Sequence, residues 1–94
     1  MKDVKIELNH RPDGEDHLLC YATIKIDNES EADFYFVDTD LLNGYIGVLS
    51  QIEARYKDSK YNFVLSSIDH SQHSDHDLKI LAFNLIFLKS FQSN

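Results

Sequence analysis

The sequence predicts an α+β domain: a mainly antiparallel sheet of about five strands with one helix packed on one face, in the order β-β-β-α-β-β. Three observations carry this. Apolar residues recur with period two in three stretches before Asp38, with turn formers between them. The period changes to a helical one after Asp38, and alternation returns at Tyr61. A chain of 94 residues makes one domain, 1–94, long enough to bury roughly 60–65% of its unfolded surface without disulfides.

In the first stretch Val4, Ile6 and Leu8 alternate with Lys5 and Glu7, which predicts a strand over residues 3–8. Asn9 to Asp16 holds Pro12-Asp13-Gly14, where the fixed φ of proline and the permissive backbone of glycine make a hairpin loop. Residues 17–26 set Leu18, Cys20, Ala22, Ile24 and Ile26 against His17, Leu19, Tyr21, Thr23 and Lys25, a second strand. After the turn formers Asp27 to Ser30, Ala32, Phe34 and Phe36 oppose Asp33, Tyr35 and Val37, completing a three-stranded meander.

Leu41, Tyr45, Val48, Leu49, Ile52 and Tyr56 recur at helical spacing, and Asp38, Thr39 or Asp40 can cap the first turn, so a helix is expected over 40–57. Gly44 and Gly47 oppose it by about 1 kcal/mol each, and Asn43-Gly44 is also a hairpin signal. The helix is retained because Ser50 to Lys57 is charged on one side, and because glycines facing a sheet permit close approach. Tyr61, Phe63 and Leu65 then alternate with Asn62, Val64 and Ser66 in a fourth strand reaching about Ile68. Leu78 to Phe91 is apolar at ten of fourteen positions. Periodicity alone does not separate a buried helix from a strand buried on both faces. The alternation of Lys79, Leu81, Phe83, Leu85, Phe87 and Lys89 with the rest favours a long central strand.

Composition bounds the function. Hydrophobic residues make up 43% of the chain, with six Phe and five Tyr, too many for a disordered acidic tail despite a net charge of −7. Cys20 is the single cysteine and sits in an alternating apolar run, so a disulfide framework and a cysteine-based zinc cluster are both excluded. Met1 to Leu8 lacks the apolar core of a signal sequence, and the last apolar stretch is too short and interrupted to span a membrane as a helix. A cytoplasmic protein without membrane contact is expected.

Charge is distributed unevenly. Between Lys25 and Arg55 there is no lysine or arginine, while Asp27, Glu29, Glu31, Asp33, Asp38, Asp40 and Glu53 supply seven carboxylates. A field of one sign attracts cationic surfaces and repels phosphates. Direct nucleic-acid binding, which draws its affinity from lysine and arginine on phosphates, is disfavoured in a chain with 16 acids and 9 bases. Solubility alone is the competing explanation for the acids.

Catalytic patterns are weak. Asp69 to Asp77 packs His70, His73 and His76 among three aspartates, donors of the right kind for zinc, nickel or copper. Nine polar residues between two strands are also what a solvated loop looks like, and zinc sites usually draw ligands from separate elements, so no resident metal is expected. Cys20 lies on the presumed core face, where thiols are inert. Ser66, Ser67, Ser71 and Ser74 occupy no nucleophile elbow, and Gly14, Gly44 and Gly47 form no phosphate-binding loop. Neither an enzyme nor a cofactor is expected.

In size, charge and layout the chain resembles the immunity proteins that neutralise bacterial toxins, and also the bacterial and phage inhibitors that mimic the charge of DNA. The resemblance covers general character and carries over no residue. It implies a small non-enzymatic inhibitor that binds a basic protein partner such as a toxin nuclease. Asp27, Glu29, Glu31, Asp33, Tyr35, Asp38 and Asp40 are the expected contact residues. A DNA mimic acting on a nucleic-acid-binding protein is the alternative, with a metal-binding domain built on His70, His73 and His76 less favoured. Leu19, Tyr21, Tyr35, Val37 and Val64 point away from the face carrying Cys20 and Phe34. One helix covers one face, so this second face is expected to meet a partner or a second copy in a homodimer.

Overall fold

The alternation of Val4, Ile6 and Leu8 starts a longer strand than its apolar residues alone define. In the computed structural model, which describes residues 2–57, 60–66 and 76–88, β1 runs Lys2–Asp13. It pairs antiparallel with β2, His17–Ile26, in unbroken register from Val4↔Ile26 to Asp13↔His17. The connection is therefore confined to residues 14–16, where Gly14 adopts φ +79°, a conformation costly for any residue with a Cβ. Asn9 to Pro12, expected in the loop, are strand residues. Pro12 is tolerated because β4 flanks β1 only from Lys2 to Ile6, which leaves the far end of β1 paired on one side.

Asp27 and Asn28 both take left-handed backbone conformations, φ 55° and 67°, and form a two-residue turn into β3, Glu29–Asp38. Such a turn demands positive φ at both central positions, which aspartate and asparagine accept more readily than other non-glycine residues. β3 pairs antiparallel with β2, and the register slips near Ile24 and Lys25: Ile24 faces Ala32 and Lys25 faces Ser30, so Glu31 is the extra residue of a bulge.

Two residues beyond β3, Asp40 caps the start of α1, Leu41–Arg55. Its side chain accepts a hydrogen bond from Asn43 N at 2.9 Å, satisfying one of the amides that the first turn leaves without a partner. The helix crosses the sheet and delivers the chain to β4, Tyr61–Leu65, parallel to β1 from Lys2↔Tyr61 to Ile6↔Leu65. Among the described residues the sheet thus has four strands, in the order β3-β2-β1-β4.

Over its described residues, 78–88, the last apolar stretch is helical, not a central fifth strand, and residues 89–91 lie outside the described residues. α2 spans His76–Phe83 and continues as a π-helical turn over Asn84–Leu88. Burial resolves the ambiguity of its sequence: Lys79 and Ala82 are buried, and Leu78, Phe83, Ile86 and Phe87 pack on the core as partly buried residues. Pairs spaced four apart (78 and 79, 82 and 83, 86 and 87) describe one side of a helix. Phe87 stacks on Phe63 of β4 with ring centroids 4.5 Å apart, and meets Phe83 at a tilt of 41°, 4.8 Å away.

Both helices lie on one face of the sheet. That face supplies Val4, Ile6 and Leu8 from β1 and Cys20, Ala22, Ile24 and Ile26 from β2, joined in the core by Tyr45, Val48, Leu49, Ile52 and Ala82 from the helices. Tyr56, at the end of α1, packs edge-on against Phe34 and Tyr61. Among the described residues no helix is long and apolar enough to cross a membrane.

Gly44 and Gly47 set how closely α1 approaches. A Cβ on Gly44 would stand 2.3 Å from Cys20 Sγ, and one on Gly47 2.4 Å from the Phe36 ring. Phe36 is 36% exposed and can turn aside, whereas Cys20 is fully buried. Gly44→Ala is therefore expected to lower stability by about 1–3 kcal/mol despite its better helix propensity, and Gly47→Ala by less. Removing the sulfur leaves the Cys20 Cβ as the nearest atom, at 3.4 Å. In urea unfolding, the Cys20→Ala, Gly44→Ala pair should then lose less than the sum of the single variants. A Gly44→Ala protein more stable than wild type would contradict this packing.

Candidate partner-binding surface

The pleat of β2 and β3 builds the surface opposite the helices. Register places Val37 beside Leu19, Tyr35 beside Tyr21, and Asp33 beside Thr23, all on the outer face because their neighbours Phe36, Phe34 and Ala32 point inward. The row continues onto β1 through Arg11, Asn9 and Glu7. Tyr35 is 55% and Val37 45% exposed, while Leu19 and Tyr21 are half-buried. Cross-strand neighbours of this kind stand about 5 Å apart, so these four side chains form one apolar cluster. No described element covers it.

The expected contact residues divide into two groups. Asp38 and Asp40 are committed to the start of α1: Asp38 Oδ1 accepts from Asp40 N at 3.0 Å, and Asp40 caps the helix. Asp27 belongs to the β2–β3 turn, where it faces Lys2 Nζ at 3.7 Å. Glu29, Glu31, Asp33 and Tyr35 remain as exposed side chains along β3, an edge strand of the sheet. The three carboxylates do not share a face. Glu29 faces Ile26 on the helix side, Glu31 occupies the bulge, and Asp33 lies on the outer face. The ten residues of β3 extend about 33 Å, which separates the acids at its start from the caps at its end.

The absence of lysine and arginine between residues 25 and 55 does not carry over fully into space. Lys25 on β2 pairs with Glu7 on β1 at 2.9 Å, and Lys5 stands opposite Lys25 on the same outer face. Exposed pairs of this kind contribute about 0–1 kcal/mol, but they neutralise the field locally. What stays acidic is the free edge, at Glu29, Glu31 and Asp33. Charged side chains there also serve the fold, since an unpaired edge invites association with other strands. The edge is partly closed from the helix side by Gln51, whose Nε2 donates to the Tyr35 carbonyl at 2.9 Å.

Cys20 is fully buried, as expected for an inert thiol. His70 and His73 lie outside the described residues, and His76 begins α2. Among the described residues no cluster of three or more histidines, cysteines or carboxylates has the arrangement of a metal site. One polar contact escaped sequence reasoning. The hydroxyl of the fully buried Tyr45 shares a 2.8 Å hydrogen bond with His10 Nδ1 across 35 positions of sequence. The helical spacing of Tyr45 marks it as apolar-face, but the partner that a buried hydroxyl requires is not legible, because Pro12-Asp13-Gly14 predicts a loop that takes in His10.

The two acidic groups should separate in stability measurements. Asp40→Ala removes the cap and is expected to cost about 1 kcal/mol. Glu29→Gln, Glu31→Gln and Asp33→Asn should each stay within about 0.5 kcal/mol of wild type. Urea midpoints that fall as far for the edge amides as for Asp40→Ala would show that the edge acids hold the fold. Comparison with protein-family models, curated proteins and solved structures gives no significant match to this chain.

Proposed function

We propose that this chain is a non-enzymatic binding protein of the inhibitor or immunity type, which takes a basic protein partner against β3 and the adjoining outer face of β2. The observation that carries the reading is the juxtaposition on the outer face of Tyr35 and Val37, 55% and 45% exposed, with the carboxylate of Asp33, beside Glu31 at the bulge of the same edge strand. Aromatic and aliphatic side chains supply the area that is desolvated on contact, and the carboxylates beside them orient a cationic surface. A toxin nuclease, whose substrate groove must be basic, is a partner of this chemistry.

Each part has a kinetic role. The edge acids act at long range and steer encounter, so they govern the association rate and its dependence on salt. The apolar cluster acts only after contact and governs how long the complex lasts. Asp38 and Asp40, held at the helix start, contribute field but not adaptable contacts. The DNA-mimic alternative draws less support, because Glu29, Glu31 and Asp33 do not line one face as a row of phosphates does.

The partner is to be captured with the tagged protein from its native cells and identified by mass spectrometry, and its association then followed against ionic strength. The variant carrying Glu29→Gln, Glu31→Gln and Asp33→Asn should associate about tenfold more slowly at low salt, with a flatter salt dependence. Tyr35→Ala should leave association nearly unchanged and raise the dissociation rate. Coincident salt curves for wild type and the triple variant would reduce the acidic edge to a solubilising surface. A captured partner without a basic surface would remove the proposal.

A further inference from the structure

The sheet register fixes which backbone groups of the edge strand β3 have no strand to meet. Two hydrogen bonds at opposite ends of the sheet give the same answer. Ser66 N donates to the Ile6 carbonyl at 2.8 Å, so Val4 and Ile6 turn their backbone groups toward β4. Lys5, Glu7 and Asn9 therefore bond Lys25, Thr23 and Tyr21, which leaves Ile24, Ala22 and Cys20 to bond Ala32, Phe34 and Phe36. The amides and carbonyls of Asp33, Tyr35 and Val37 thus point out of the sheet. From the other side, the Tyr35 carbonyl accepts from Gln51 Nε2 at 2.9 Å, as a group directed away from β2 can. Among the described residues no strand pairs with β3 along this edge.

We infer that this edge takes an extended segment of the basic partner as an added strand, with lysines or arginines projecting from both of its faces. The inference deepens the partner proposed above and rests on it. The placing of the acids identifies the occupant. Glu29 lies on the helix side, Asp33 on the outer face and Glu31 at the bulge between them, so a surface laid on one face of the sheet meets only part of the set. An added strand alternates its side chains across both faces as β3 does, and brings cations to both. Bonds to the main chain of Asp33, Tyr35 and Val37 supply affinity, while the exposed Tyr35 and Val37 side chains flank those on the outer face of the strand.

Neighbouring cations do not cancel this field. Lys25 lies one strand inward and is drawn further in, its Nζ 2.9 Å from Glu7 on β1. Lys2 is engaged by Asp27 in the β2–β3 turn at 3.7 Å. Lys5 and Arg11 belong to β1, about 14 Å from a strand added to β3, where salt screens most of their repulsion. Arg55, one turn beyond Gln51 on α1, is turned over the Tyr56 ring with its guanidinium carbon 6.0 Å from the centroid. Three carboxylates stand against it along the edge.

The probe is a short peptide blocked at both ends, with lysines on both faces of its extended form and valine between them. One version is N-methylated on the amides of a single edge, which leaves its other edge able to pair. A second version of identical charge is N-methylated on both edges. By nuclear magnetic resonance, the first at millimolar concentration should slow amide exchange at Asp33, Tyr35 and Val37. Phe34 and Phe36, whose amides already bond β2, should be unchanged. The second should bind at least about tenfold more weakly, having lost its donors to the edge. Equal binding by the two versions, or failure of the first to protect these three amides, overturns the added strand and leaves a basic partner in place. So does a captured basic partner that binds without protecting them. Slow exchange of the same amides before any peptide is added, from a second copy or another part of the chain lying on the edge, also overturns it. A captured partner without a basic surface instead removes the proposal on which the added strand rests.

Discussion

The close seating of α1 on the sheet is the constraint from which the remaining architecture follows. Gly44 and Gly47 bring the helix backbone down onto Cys20 and Phe36, at distances a Cβ could not occupy. With α1 fixed over β2 and β3, the chain leaves its C-terminal end at Tyr56, where Phe34 and Tyr61 grip the ring edge-on and direct the following segment to the far edge of the sheet. β4 adds there, parallel to β1, and α2 fills the space beside α1 through Phe83 and Phe87 against Phe63. Both helices therefore occupy one face, and the other face keeps whatever side chains the pleat assigns to it.

That division gives the acidic stretch its meaning. As a sequence it is one uninterrupted run of negative charge, but the fold uses its parts differently. Asp27 makes a turn, Asp38 and Asp40 start a helix, and Lys2, Lys5 and Lys25 return from β1 and β2 to share the neighbourhood. Glu29, Glu31 and Asp33 remain along an edge strand, next to the exposed Tyr35 and Val37. Acids on an edge discourage unwanted strand pairing and attract cationic surfaces at the same time, and the two effects need no separate residues.

Much of this was legible in the residues. Strict alternation over 17–26 fixed the faces of β2, and with them the side on which Cys20 is buried and the side on which Tyr21 is not. The helix after Asp40 was legible from the spacing of Tyr45, Val48, Leu49 and Ile52, and its glycines from the need for close approach. Two features were not. β1 extends through Asp13 because backbone pairing with β2 continues past its last apolar alternation, and Pro12 is allowed there by a missing neighbour, which is a property of the sheet and not of the chain. α2 was hidden because its polarity is inverted: Lys79 is turned to the core while Ile80, Leu81, Leu85 and Leu88 face outward. A helix apolar on both sides loses its periodicity, and the alternation that remained matched a strand.

The functional surface is proposed to be the one the helices leave open. Amide hydrogen exchange of the protein, alone and with the proposed basic partner once captured, measures this residue by residue. Exchange should slow across Asp33 to Val37 of β3 and Leu19 to Thr23 of β2, with α1 unchanged. Protection confined to α1, with β3 exchanging as it does in the free protein, would contradict it.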